Sequence, residues 1–142
     1  MKKNIQANNK KIRVVVFGIF DGVHEGHRSL FAQAREFGEE LVVIVGRDEI
    51  CRKLKNKTPK FSEEERRSRV EQEPLVSKAI LGDKEPSSYE IVEEFKPDVA
   101  CFGYDQEKLE EDFKNWLQKT GKQIETYRLE PFEPETYHSS LL

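Results

Sequence analysis

The chain has 142 residues, about one domain of ordinary size. A chain this long buries about 68–70% of the surface it exposes unfolded, enough for a core without metal or disulfide staples. Hydrophobic and charged residues stand at 36% each, and nine Phe, four Tyr and one Trp supply core material that argues against disorder. The net charge of −3 excludes a polycationic nucleic-acid-binding surface. Cys51 and Cys101 lie far apart and outside any CxxC pair, which excludes a four-cysteine zinc site and argues against a disulfide scaffold. Free thiols point to a reducing cytoplasm. No apolar run approaches the length of a membrane span.

Residues 1–11 form a polar, basic lead-in without the apolar core of a signal peptide, followed by a single domain over residues 12–142. Five apolar runs predict strands: Ile12–Ile19, Leu41–Val45, Val76–Leu81, Val99–Phe102 and Gln123–Leu129. The first two are nearly continuous Val and Ile, the signature of strands covered on both faces. Between them lie helical patterns. His27–Phe37 gathers Leu30, Phe31, Ala34 and Phe37 on one face, and Tyr89–Phe95 gathers Ile91, Val92 and Phe95. Ser62–Gln72 opens with Ser-Glu-Glu-Glu, a capping-box signature, and Lys108–Gln118 carries Leu109, Phe113, Trp116 and Leu117. Arg47–Lys60 reads as a long basic loop, and residues 130–142 as an irregular tail. Repeated strand–helix alternation implies parallel strands with crossovers, hence a doubly wound five-stranded α/β sheet.

Ligands of such sheets bind beyond the carboxyl ends of the strands. The first strand ends there in Gly18-Ile19-Phe20-Asp21-Gly22-Val23-His24-Glu25-Gly26-His27. Gly18, Gly22 and Gly26 let backbone approach a ligand, and the next helix offers N–H groups and a positive dipole end to phosphate. His24 and His27 could donate to phosphate oxygens as charge develops. The alternatives are two ordinary surface histidines, or a zinc pair lacking an evident third ligand, since His138 lies in the tail.

This stretch resembles the GxFDxxHxGH signature of the cytidylyltransferase-like nucleotidyltransferases. The resemblance extends through Gly46-Arg47-Asp48-Glu49, Glu63-Glu64-Glu65-Arg66-Arg67, Lys78–Gly82, Lys96-Pro97-Asp98 and Gly103-Tyr104-Asp105-Gln106. It is strongest to the archaeal-type FAD synthases, which move AMP from ATP to FMN, and next strongest to the glycerol-3-phosphate cytidylyltransferases. A Rossmann-like, HUP-type three-layer α/β/α fold is implied. So is attack by an acceptor phosphate oxygen on the α-phosphate of ATP (CTP in the second case), with Mg²⁺ arriving on the triphosphate and no dedicated metal site in the protein. The implied partners are small molecules, ATP with FMN or CTP with a polyol phosphate, and not nucleic acid or membrane. A homodimer is also in keeping with the family.

Carried across residue by residue, the resemblance assigns His24 and His27 to the reacting phosphates, and Gly18, Ile19, Phe20 and Gly26 to the approach of the triphosphate. Asp21 organises the loop. Lys53 and Lys55 match phosphate-binding lysines, with Lys57 and Lys60 close behind and a solvated charge run as the alternative. Arg66 matches an arginine reaching the acceptor or a phosphate, or else pairs with Glu63 one turn back. Gly103, Tyr104 and Asp105 match a segment holding base and ribose, though Asp105 would equally serve as the N-cap of the next helix. Ser139 and Ser140 match a phosphate-contacting pair. Phe61, Tyr104 and Phe132 are candidates for a flavin slot. Relatives usually carry Thr or Asn in place of Ile19, so a side-chain contact there is lost and only a backbone contact survives. The short tail after Ser139 and Ser140 would weaken the phosphate grip from that side, and a missing riboflavin kinase domain would confine the activity to nucleotidyl transfer. A binding module with little catalysis is the reading of another class.

Overall fold

The computed structural model describes residues 11–132. In chain order the elements are β1 (Arg13–Gly18), α1 (Glu25–Arg35), β2 (Glu40–Val45), α2 (Asp48–Lys55), α3 (Glu63–Glu71), β3 (Lys78–Leu81), α4 (Glu90–Phe95), β4 (Val99–Phe102), α5 (Glu107–Thr120) and β5 (Glu125–Arg128). All five strands are parallel, in the order β3-β2-β1-β4-β5. β1 is central, with Val14 opposite Leu41 on one side and Val99 on the other.

Alternate residues of β1 feed two separate cores. Val14 and Val16 join Phe31, Ala34, Leu41, Val43 and Val70 under α1 and α3. Val15 and Phe17 join Tyr89, Val92, Phe102 and Phe113 under α4 and α5. A strand with apolar side chains on both faces needs a helical layer on each, which explains the unbroken Val run and gives the three-layer α/β/α architecture. Removing either layer would expose one complete set.

The Ser62 hydroxyl accepts the Glu65 N–H at 3.2 Å, as its capping signature predicts. The basic segment departs from expectation: residues 48–55 are helical, not loop. Asp48 and Glu49 place negative charge in its first turn, the buried Cys51 ties it to the body, and Asn56 ends it in the left-handed conformation. The dense Lys and Arg masked an otherwise adequate helix. After β3 the chain changes sides, and the crossover through α4 makes β4 the neighbour of β1, with the helices that follow the two strands on opposite faces of the sheet. The space outside their carboxyl ends is the topological switch point, where ligands of open α/β sheets bind.

Candidate active site

A crevice of about 820 Å³ opens over the carboxyl ends of β1 and β4, a size suited to small organic ligands. One wall is the loop from Gly18 to His27. Phe20 has φ +54° and Gly22 φ +102°. The latter conformation suits glycine, whereas the former is rarely adopted by an aromatic residue. Phe20 folds back until its ring lies where a Cβ on Gly18 would come within 2.6 Å. Any side chain at position 18 would displace that ring. Phe20 is itself buried and packs edge-on to His27, with ring centroids 5.0 Å apart. Its side chain serves as a platform for the histidine.

His24 is the N-cap of α1, in extended conformation. Its Nδ1 accepts the Gly26 N–H at 3.1 Å, and the His27 Nδ1 accepts the His24 N–H at 3.2 Å. This reciprocal arrangement fills with imidazoles the places that Ser and Glu take in an ordinary capping box. The rings stack with centroids 3.8 Å apart and an interplanar angle of 25°. A nitrogen that accepts a hydrogen bond carries no proton, so the proton of each neutral ring resides on Nε2. Burial, followed by the neighbouring His24, pushes the His27 pKa down to about 4. The pair therefore has the tautomer needed to offer two Nε2–H donors without carrying two positive charges. The helix end differs from the simple picture of open N–H groups, because the Gly26 N–H is already taken.

Asp21 latches this loop to a second wall. Its carboxylate accepts the N–H groups of Lys60 at 2.7 Å and Phe61 at 3.0 Å, and those bonds hold its pKa below the usual carboxylate range. The latch brings Lys57, Thr58 and Pro59 to the crevice. Lys53 is exposed on α2 and does not line it, while Lys57, two residues past Lys55, does. The side chain of Lys55 lies outside the described residues.

The opposite wall follows β4. Tyr104 and Asp105 line the crevice, with Tyr104 57% exposed and open to a ligand face. Asp105 is not the N-cap of α5. Gln106 occupies that place without forming a side-chain cap. Instead the Gln106 amide accepts the Gly103 N–H at 2.8 Å and donates to the Phe17 carbonyl at 2.9 Å, bridging the ends of β4 and β1. Phe132 closes the rim near Gly26. It is aimed there by Gln33 of α1, whose amide exchanges two hydrogen bonds with the Glu130 backbone. Phe61 stands apart, packed under the Arg69 guanidinium at 4.1 Å from its ring centroid. Ser139 and Ser140 lie outside the described residues.

Arg66 is a correction. It neither lines the crevice nor pairs with Glu63, but is 0% exposed beneath the loop and ion-paired to Asp48. Gln33 escaped sequence reasoning, since it carries no motif. Gln106 was read only as the end of the Gly103-Tyr104-Asp105-Gln106 segment, without its bridging role, and Lys57 only as a neighbour of the preferred Lys53 and Lys55 in a basic run.

The glycine- and histidine-built switch-point crevice defines a nucleotidyltransferase-type site, and the chain belongs to the cytidylyltransferase-like family, whose sequence model matches residues 15–142. Within it, the chain is similar to the FAD synthase of Aciduliprofundum boonei, 38% identical over 121 residues that cover 85% of this chain and 80% of that protein. It is also similar to the FAD synthase of Pyrococcus horikoshii, 37% identical over 123 residues that cover 87% and 83%. Among solved structures, the lipopolysaccharide core biosynthesis protein of Thermoplasma volcanium superimposes with a TM-score of 0.81 at 33% identity, covering 87% of this chain and all of that one. The pantoate–β-alanine ligase of Francisella tularensis, at 8% identity and a TM-score of 0.61 over 92% of this chain and 66% of that one, shares the fold alone.

Proposed function

We propose that this protein transfers AMP from ATP to FMN, giving FAD and pyrophosphate. A phosphate oxygen of FMN attacks the α-phosphorus of ATP. A bond from that oxygen to phosphorus forms as the bond to the β-phosphate bridging oxygen breaks, and pyrophosphate departs with that electron pair. No covalent enzyme intermediate is required. Mg²⁺ enters with ATP as part of the substrate.

The observation that carries this reading is the stacked histidine pair, fixed through both Nδ1 atoms at the switch point. Such donors need no reorganisation as charge develops on the transferring phosphoryl group. The neutrality of His27 also spares the site the repulsion of two adjacent cations. Lys57 is the cation of the described crevice wall and balances the triphosphate. Asp105 is suited to accept from ribose hydroxyls, and Tyr104 and Phe132 to flank a planar ring. Catalysis is chiefly positioning and electrostatic stabilisation. FMN as acceptor is supported by the FAD synthase relatives and by the aromatic rim.

The test is pyrophosphate release with Mg²⁺, crossing ATP and CTP against FMN and glycerol 3-phosphate. Release with ATP and FMN alone is expected. Release only with CTP and the polyol phosphate would replace this reading with the cytidylyltransferase one. Nucleotide binding without release in any combination would replace it with the binding module.

A further inference from the structure

The chain leaves the sheet after β5 and crosses to the crevice rim. Leu129 is its last tie to the sheet: its N–H donates to the Phe102 carbonyl at 2.8 Å, and its side chain is buried in the core under α1. Glu130 follows, an exposed residue beyond the strand. Both of its backbone groups are taken by one side chain, Gln33 of α1. The Gln33 Oε1 accepts the Glu130 N–H at 2.8 Å, and the Gln33 Nε2 donates to the Glu130 carbonyl at 3.0 Å. Nε2 also donates to the Ser29 hydroxyl at 3.2 Å. A hydrogen-bonded residue pair in an antiparallel ladder exchanges two bonds in the same way. Gln33 thus takes the place of a neighbouring strand.

The amide can hold only one way round. It has two N–H donors and one accepting oxygen, and Glu130 presents a donor and an acceptor to it. Turning the amide over would set N–H against N–H and oxygen against oxygen. Among the described residues, these two bonds are the only hydrogen bonds that the chain makes after Leu129. Pro131 then holds its own φ at about −65°, which removes one rotation between the clamp and Phe132. Phe132 stands 40% exposed on the crevice rim, its Cβ 4.0 Å from where a Cβ on Gly26 would lie. An aromatic this open is fixed more by its backbone than by its packing. Gln33 itself is not part of the crevice wall.

We propose that Gln33 is a positioning residue for substrate binding: by clamping Glu130 it holds the Phe132 ring ready for the planar ring of a bound nucleotide, and it touches no substrate itself. The proposal rests on the reading of the crevice as a site for ATP and FMN. The ring it serves is adenine or isoalloxazine, which present the same kind of flat heteroaromatic face. A rim residue ordered in advance loses less freedom on binding, so the clamp tightens the complex.

The first measurement is amide hydrogen exchange of the wild-type protein without ligand. The Glu130 N–H is expected to exchange slowly despite its exposed position. In Gln33→Ala it is expected to exchange freely, while the Leu129 N–H stays protected in both proteins. Free exchange of Glu130 in the wild type would overturn the proposal. The second measurement is a double-substitution cycle read by calorimetry, with ATP and Mg²⁺ in one arm and FMN in the other. Phe132→Ala is expected to weaken at least one of the two by about tenfold, the scale of one base–aromatic stack. Gln33→Ala is expected to weaken the same ligand by about fivefold. The double variant is expected to match Phe132→Ala alone, because Gln33 acts through that ring. Loss in the ATP arm identifies the ring as adenine, and loss in the FMN arm as isoalloxazine. Multiplied effects in the double variant, or unchanged affinity in both arms, would overturn the proposal. So would a wild-type protein that binds neither nucleotide. FAD formation tests the adenylyl-transfer reading separately. If ATP or FMN binds and no FAD forms, that reading fails, and the binding cycle still decides this proposal.

Discussion

The two loops facing each other across the switch point are built differently. The loop after β1 is held at many points: His24 accepts the Gly26 N–H and His27 the His24 N–H, Gly18 makes room for Phe20, and Asp21 and the Ile19 carbonyl tie it to the segment around α3. The loop after β4 hangs on one side chain. Gln106 closes it onto Gly103 and reaches to the Phe17 carbonyl. A loop anchored at many points can present groups with the fixed geometry that transition-state stabilisation demands. A loop held by one long side chain suits binding and orienting a substrate. Substitutions in the first loop should therefore act on kcat, and those in the second on KM.

The largest effect is expected from His27→Ala. Loss of one preorganised donor should lower kcat about 10²–10³-fold, with circular dichroism unchanged because α1 retains its other contacts. Full activity in this variant would break the comparison outright. Gln106→Ala comes next. It leaves the Gly103 N–H and the Phe17 carbonyl without their partner, costing about 1–3 kcal/mol by denaturant unfolding. KM for ATP should rise about tenfold with kcat nearly preserved. A fall in kcat alone would show that both loops act in the transition state. A smaller change is expected from Asp21→Asn, which keeps one acceptor but loses the second grip on the Lys60–Phe61 backbone. Stability should drop by about 0.5–1.5 kcal/mol, with a modest loss of activity as the Lys57 wall loosens.

The smallest effect concerns pH. The His27 pKa is near 4 when folded, against 6.5 for an ordinary histidine. Between those values the unfolded chain binds more protons, so stability rises with pH through this window and is lost as pH falls. Melting of wild type and His27→Asn from pH 4 to 7 should show a shallower slope for the variant, by a few degrees in Tm. Because His27 stays neutral, its own titration should add no acid limb to the rate profile near pH 6.5.

Much of this was readable in the sequence, and what escaped has a common cause. The two strands β1 and β2 show themselves through Val and Ile runs, since burial on both faces leaves little alternative composition. The histidine loop is equally legible because its contacts are local, with His24 and His27 three residues apart. Arg66 could not be read in the same way. Its partners Ile19 and Gly46 lie 47 and 20 residues away, and an arginine flanked by Glu looks like any surface helix position. The α2 helix was hidden by its lysines and arginines, whose charge says nothing about backbone conformation. Lys53 and Lys57 could be told apart only once Asp21 was seen to tie down the segment before α3.

The strand order bears on how the molecule comes into being. Phe17 and Gln106, which span the crevice, stand 89 residues apart in the chain. During synthesis the histidine loop emerges with the first strand, and β1, β2 and β3 can ladder together before β4 exists. Such distant pairings close slowly, after the local ones. A nascent chain halted short of β4 would already display its whole signature loop, yet would have no crevice in which to use it.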